Sequence, residues 1–277
     1  MCPAIDEVIA VDRLAMKDGP AWRSAAAMLT LVRDIRRRKF DLVIDFHSFR
    51  ETNLLTWLSG SKAAVGMKRH LAPYWAFCFT RPPVLEDKRL HVADMFQKVV
   101  EGVIGRPASK SGPILTLPES IGSKEPSVTF YVDAPVPERV WPPEFFARLA
   151  DYVIEKLDAS VLVVSGKEGA DLAGRVHKAS LHPGKLSLYT DVTVPELAAL
   201  IASSRLLVSN DTGPMHLGPA VGVPTLGLFS VGYPEHFRPI GPNDRFLRAN
   251  PIEGIQVSQV IEAVGEMWTT ADLNLRR

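Results

Sequence analysis

The sequence predicts an α/β fold with parallel sheets, built as two successive halves. Short apolar runs alternate with amphipathic helical stretches nearly throughout, which is the signature of strand–helix–strand units. The run Leu-Thr-Leu-Pro-Glu-Ser-Ile-Gly-Ser-Lys-Glu-Pro between Leu115 and Pro126 interrupts that alternation and reads as a linker. It divides the chain into residues 1–122 and 123–277, each with its own strand–helix series.

In the first half, Val8–Val11 reads as a short strand and Ala21–Arg38 as a helix with Ala25, Met28, Leu29, Val32 and Ile35 on its apolar face. Leu42–Asp45 is a strand, Glu51–Leu58 a helix and Ala63–Gly66 another strand. His91–Ile104 is amphipathic, with Met95, Phe96 and Val99 on one side. In the second half, Val128–Val132 is a strand and Pro143–Leu157 a helix opened by proline. Ser160–Val164 and Leu186–Leu188 are strands, and Ala170–Ala179 and Pro195–Ala202 are helices. Thr193 and Glu196, three residues apart, predict a capping box, so Glu196 is structural first. The helix Val257–Met267 closes the pattern.

With 277 residues and 46% hydrophobic content the chain can bury a sizeable core. A net charge of +1 gives no bulk field for nucleic acid. Two cysteines, Cys2 and Cys78, make no disulfide framework and carry no metal-ligand spacing, which fits a reducing cytosol. No apolar run reaches the roughly 18 residues of a membrane-spanning helix, and no secretory signal opens the sequence. Charge is uneven only locally. Arg33-Asp-Ile-Arg-Arg-Arg-Lys39 closes a helix, where cations complement the dipole or attract an anionic membrane surface.

The segment from Leu206 to Phe229 carries the chemistry. It reads as a buried strand (Leu206–Ser209), the turn Asn210-Asp-Thr-Gly213, a short helix from about Pro214, and a second strand (Thr225–Phe229). Such a turn joins a strand's carboxyl end to a helix amino end, where free N–H groups favour an anion. Gly213 permits close backbone approach, Thr212 can cap the helix or donate to an oxygen, and His216 lies one turn further on.

This segment resembles the nucleotide-sugar motif of the family 9 glycosyltransferases, the ADP-heptose:lipopolysaccharide heptosyltransferases. Asp211, Thr212, Gly213, His216, Gly222, Val223, Pro224, Leu228 and Phe229 match it in order. The resemblance extends to Asp41–Leu55 and Ser59–Gly66, where His47 replaces the usual Gln, and to Pro137–Phe146, where Arg139 replaces a donor-contacting Lys. Ser165-Gly-Lys-Glu-Gly-Ala resembles the family loop that puts Glu168 near the nucleotide, or is a plain turn. Tyr233–Gly241 is similar to a further loop that offers His236 or Arg238. The strand end Val132-Asp-Ala-Pro135 departs from the family's His-x-G turn.

The resemblance implies a GT-B arrangement, two Rossmann-like domains facing a cleft. It implies inverting transfer of a heptose or related sugar from an ADP-sugar to a lipopolysaccharide core or lipid A–Kdo acceptor at the cytoplasmic membrane face. Asp211, Thr212, Gly213, His216, Arg139 and Glu168 would bind the donor. Arg50, Lys62, Lys68 and Arg69 would receive the acidic acceptor. No metal or other cofactor is implied. The family's general base lies on a loop ahead of the segment that Met1–Arg13 resembles, so the first strand–loop–helix of the N-terminal half is expected to be missing. The catalytic base is therefore unassigned, with Asp45 and His47 as the replacements at hand. An inactive nucleotide-sugar-binding relative and another GT-B enzyme, such as a sugar-nucleotide epimerase, remain alternatives.

Overall fold

The computed structural model describes residues 5–12, 20–70, 72–107, 115 and 126–275. The chain divides into two compact units, Asp6–Lys110 and Ser111–Arg277 with Met1–Ile5.

In the first unit, helix α1 (Ala21–Arg38) precedes strand β1 (Leu42–Asp45), helix α2 (Arg50–Leu58) and strand β2 (Ala63–Lys68). A two-residue strand β3 (Val84–Leu85) and helix α3 (Val92–Ile104) follow. The three strands form one parallel sheet in the order β1-β2-β3. Its core gathers Val65 and Met67 of β2 with Met95 and Val99 of α3, the stripe expected from the helical period. The expected strand Val8–Val11 is absent. These residues pair with no described strand, and Val8 is 73% exposed. An apolar run without a sheet neighbour leaves its backbone groups to water rather than to a ladder.

The second unit contains a six-stranded parallel sheet: β4 (Ser127–Tyr131), β5 (Ser160–Ser165), β6 (Leu186–Thr190), β7 (Leu206–Asn210), β8 (Thr225–Phe229) and β9 (Arg245–Arg248). The spatial order is β6-β5-β4-β7-β8-β9, so the winding reverses between β4 and β7. Helices α4 (Pro143–Lys156), α5 (Ala170–Ala179) and α6 (Val194–Ala202) connect the strands, and α9 (Val257–Leu275) ends the unit. Between them lie two single-turn helices, α7 (Leu217–Ala220) and α8 (Pro234–Phe237).

Strand alternation splits the core in two. Val128, Phe130, Val161, Val163, Leu206 and Val208 face α4 and α9 with Phe146, Val260 and Val264. Val164 and Leu207 face the other way, onto Leu197, Leu200 and Ile201 of α6. Both faces being covered explains why these strands read as continuous apolar runs. The Thr193–Glu196 capping box forms as expected. β9 was not expected, because Arg245 and Arg248 bound only two apolar residues.

Candidate functional site

The winding reverses between β4 and β7, and the carboxyl ends of the strands at such a reversal are where α/β sheets bind ligands. Asn210, the last residue of β7, is fully buried. Its Nδ2 donates to the Val132 carbonyl (2.9 Å) and its Oδ1 accepts from the Trp141 N–H (3.1 Å). One amide side chain thus ties the ends of both strands to the segment that carries Arg139. Trp141 fixes the other side of that segment. It is buried, its indole N–H donates to Ile255 O (2.9 Å), and its ring meets Phe146 edge-on.

Arg139 closes a 3₁₀ turn, Pro137–Arg139. Its Nη1 stands 3.4 Å from both the carbonyl oxygen and the Oδ2 of Asp211. The Asp211 side chain is only 7% exposed, and burial pushes its carboxyl above the usual range while Arg139 pulls the other way. Asp211 Oδ2 and Arg139 Nε are both buried without a hydrogen-bond partner. Buried polar groups are ordinarily satisfied, so this pair has bonding capacity to spare. Gly232 backs onto the carboxylate; a Cβ there would collide with Asp211 Oδ2.

Thr212 is extended (φ −154°, ψ 170°) and its hydroxyl does not cap the following turn. Beyond it the expected helix is a 3₁₀ turn, Gly213–His216, followed by α7. Pro219 lacks the N–H that would continue the first turn, and neither piece exceeds four residues, so individual N–H groups count here for more than a macrodipole. Gly213 is exposed, has no left-handed φ, and nothing stands within 4 Å of a Cβ built on it. The fold itself therefore places no demand for glycine at this position. His216 is half-buried at the end of the same turn.

Around this core, Glu168 lies exposed on the turn after β5, one strand away from β4. Asp133, which stands where a His-x-G turn was expected, packs against that turn: its Oδ2 lies 3.1 Å from a Cβ built on Gly166. The sequence reading passed over Arg248, the last residue of β9. Its Nε donates to Ser230 O (3.4 Å), while the Ser230 hydroxyl bonds Glu138 O, next to Arg139. Its only sequence signal was a cation at the end of a short apolar pair. His236 is buried against Phe237.

The first unit positions its candidates differently. Asp45 accepts from the N–H groups of His47 (3.0 Å) and Ser48 (2.7 Å) through Oδ1, and from Thr52 Oγ1 (2.9 Å) and Asn53 Nδ2 (3.0 Å) through Oδ2. The carboxylate thereby holds the β1–α2 turn closed. His47 is exposed, its ring 4.4 Å from that of Phe49. Arg50 begins α2 and Lys68 ends β2, both exposed, while the Arg69 guanidinium lies 5.5 Å over the Phe49 ring. These three gather at the carboxyl end of the sheet. Lys62 precedes β2 and so lies at the opposite end, about 20 Å from Lys68 at the usual rise per residue. Nearby, burial, then Asp45 and Cys78, push the Tyr74 hydroxyl up to about 12. Among the described residues no three His, Cys, Asp or Glu side chains gather as metal ligands. No described helix is long and apolar enough to cross a membrane.

The chain is similar to known proteins over most of its length. The chain is 22% identical to lipopolysaccharide heptosyltransferase 3 of Escherichia coli over 249 residues, 86% of this chain and 73% of that protein. Its fold superposes on a family 9 glycosyl transferase from Veillonella parvula with a TM-score of 0.82, at 24% identity, covering 97% of this chain and 84% of the other. It superposes on the E. coli heptosyltransferase WaaC solved with ADP with a TM-score of 0.79, at 18% identity, covering 96% and 85%. The fold is thus the α/β fold with parallel sheets of GT-B heptosyltransferase structures. The sequence model of glycosyltransferase family 9 (heptosyltransferase) matches residues 28–261. The chain is a glycosyltransferase and belongs to family 9.

Proposed function

We propose that this glycosyltransferase moves a heptose, or a closely related sugar, from an ADP-sugar to a lipopolysaccharide inner-core acceptor, with inversion at the anomeric carbon. The observation that carries the reading is the incompletely bonded Arg139–Asp211 pair beside the open Thr212-Gly213 turn. An ADP diphosphate supplies what the Arg139 guanidinium lacks, oxygen acceptors, beside a turn where no side chain stands in the way.

Transfer breaks the bond between the anomeric carbon and the diphosphate while the acceptor oxygen bonds the opposite face. The protein must stabilise the departing charge and take up the acceptor's proton. Arg139 meets the diphosphate, and Thr212 and the backbone N–H groups after it donate to its oxygens. His216 adds a donor, and Arg248 a second cation at the sheet's carboxyl edge. Asp211 orients Arg139 rather than touching the anion, since a carboxylate facing phosphate would repel it. Glu168, on the turn after β5, is assigned to the nucleotide. These groups balance the leaving charge without a further cofactor. Arg50, Lys68 and Arg69 suit an acidic acceptor such as lipid A–Kdo, which would bring the reaction to the cytoplasmic membrane surface. Asp45, with both oxygens already accepting, is not assigned as the base.

The test is ADP release from ADP-heptose with a lipid A–Kdo acceptor. Release that needs both substrates and falls about 10²–10³-fold in Arg139→Ala supports the reading. Equal turnover in that variant, or release only from a UDP-sugar, would contradict it.

A further inference from the structure

The first unit exposes large apolar side chains that its fold does not use. On α1, Trp22 is 67% and Leu29 59% exposed, and seven residues separate them. Arg33, Arg36 and Arg37 continue the same stripe at spacings of three and four residues, and all three are exposed. None of these three arginines is paired with a carboxylate among the described residues, whereas Arg38 bonds Glu7 and Asp34.

A second group adjoins this stripe. Trp57 of α2 is 53% and Phe77 66% exposed, their rings 6.2 Å apart and edge-on. Trp75 stacks on Phe77 at 6.0 Å. Gly60, one turn beyond Trp57, is where the two groups meet: the Arg36 guanidinium lies 3.6 Å from a Cβ built on it. Soluble surfaces rarely cluster tryptophan and phenylalanine in this way. Aromatic rings beside unpaired arginines, with α1 lying along the surface, match the interface of an anionic bilayer in both polarity and charge.

We infer that this face of the first unit, α1 with the Trp57–Phe77 pair, docks on a membrane rich in anionic lipid. The rings enter the headgroup boundary and the arginines meet phosphate groups. The inference stands on the first unit alone. It rests on the proposed function only in that a lipid-borne acceptor would be presented there.

Sedimentation of the whole chain with phosphatidylglycerol–phosphatidylcholine vesicles, and with phosphatidylcholine alone, tests it. Binding to the mixed vesicles should exceed binding to the neutral ones and weaken with salt. At roughly fivefold per cation, Arg33→Gln, Arg36→Gln and Arg37→Gln together should weaken it on the order of a hundredfold, and the three Lys replacements should restore it. Trp57→Ser with Phe77→Ser should weaken it about tenfold at fixed salt. No vesicle binding, or equal binding by the Gln and Ser variants, would overturn the proposal. So would lipid-free dimerisation that the Ser variant abolishes, since a second copy would then own the face. Titration with ADP on the same proteins separates the two readings. Lost vesicle binding with intact ADP binding concerns this face only, and intact vesicle binding without ADP binding concerns the donor site only.

Discussion

Asp211 carries a cost that the fold alone does not require. Its carboxylate is buried, one oxygen makes no hydrogen bond, and burial raises its ionisation point. The folded chain therefore holds this proton more tightly than the unfolded chain. That makes Asp211 a source of instability at neutral pH, relieved as the pH falls through the raised value. Asp211→Asn should match or exceed the parent in melting temperature at pH 7 and flatten the acid-side dependence, while weakening ADP binding. Melting scans at several pH values with ADP titration check this. A lower melting temperature with unchanged ADP affinity would make Asp211 a structural anchor instead. His216→Ala should reduce ADP affinity by about 1–3 kcal/mol, the range for a hydrogen bond to a charged group. A fall in stability with affinity intact would assign His216 to packing. At this scale the ordered motif singled out Asp211 to His216 as the candidates. Arg248 was not readable, because its proximity to Ser230 depends on strand pairing rather than on any local pattern.

The sheet element that matters most is the end of β7. Asn210 joins β4, β7 and the Arg139 segment through two buried hydrogen bonds, so Asn210→Ala leaves the Trp141 N–H and the Val132 carbonyl unpaired. A loss of about 2–5 kcal/mol is expected in urea unfolding, with weaker ADP binding as Arg139 drifts. A loss below about 1 kcal/mol would mean that water or neighbours replace the amide. The turn after β1 gives a parallel case. Four donors converge on Asp45, so Asp45→Asn should destabilise the first unit by about 1–3 kcal/mol. Unchanged stability with turnover reduced 10²–10⁴-fold would instead favour a role as base. Period and proline made most elements legible, because strands covered on both faces are apolar throughout. Val8–Val11 misled because a short apolar run signals strand tendency but supplies no partner. The short helix from Pro214 came out as two single turns, since Pro219 lacks the N–H that would bond the Met215 carbonyl.

At the scale of the whole molecule, the two units divide the chemistry. We propose that the second binds the donor at its winding reversal, while the first gathers the cations Arg50, Lys68 and Arg69 at one sheet end. Grouping Lys62 with Lys68 as acceptor contacts overlooked that the strand predicted between them sets them at opposite ends. Sequence order could not show that Gly213 has open space around it, which is what makes it a clean probe. A Cβ there meets nothing within 4 Å and the backbone is not left-handed, yet a valine side chain would occupy the ground a diphosphate needs. Calorimetric titration of Gly213→Val with ADP, beside its melting curve, tests the central claim most directly. The account predicts an unchanged melting temperature and ADP affinity reduced at least about tenfold, or about 1.4 kcal/mol. Equal affinity in the two proteins would remove the turn from the site and contradict it.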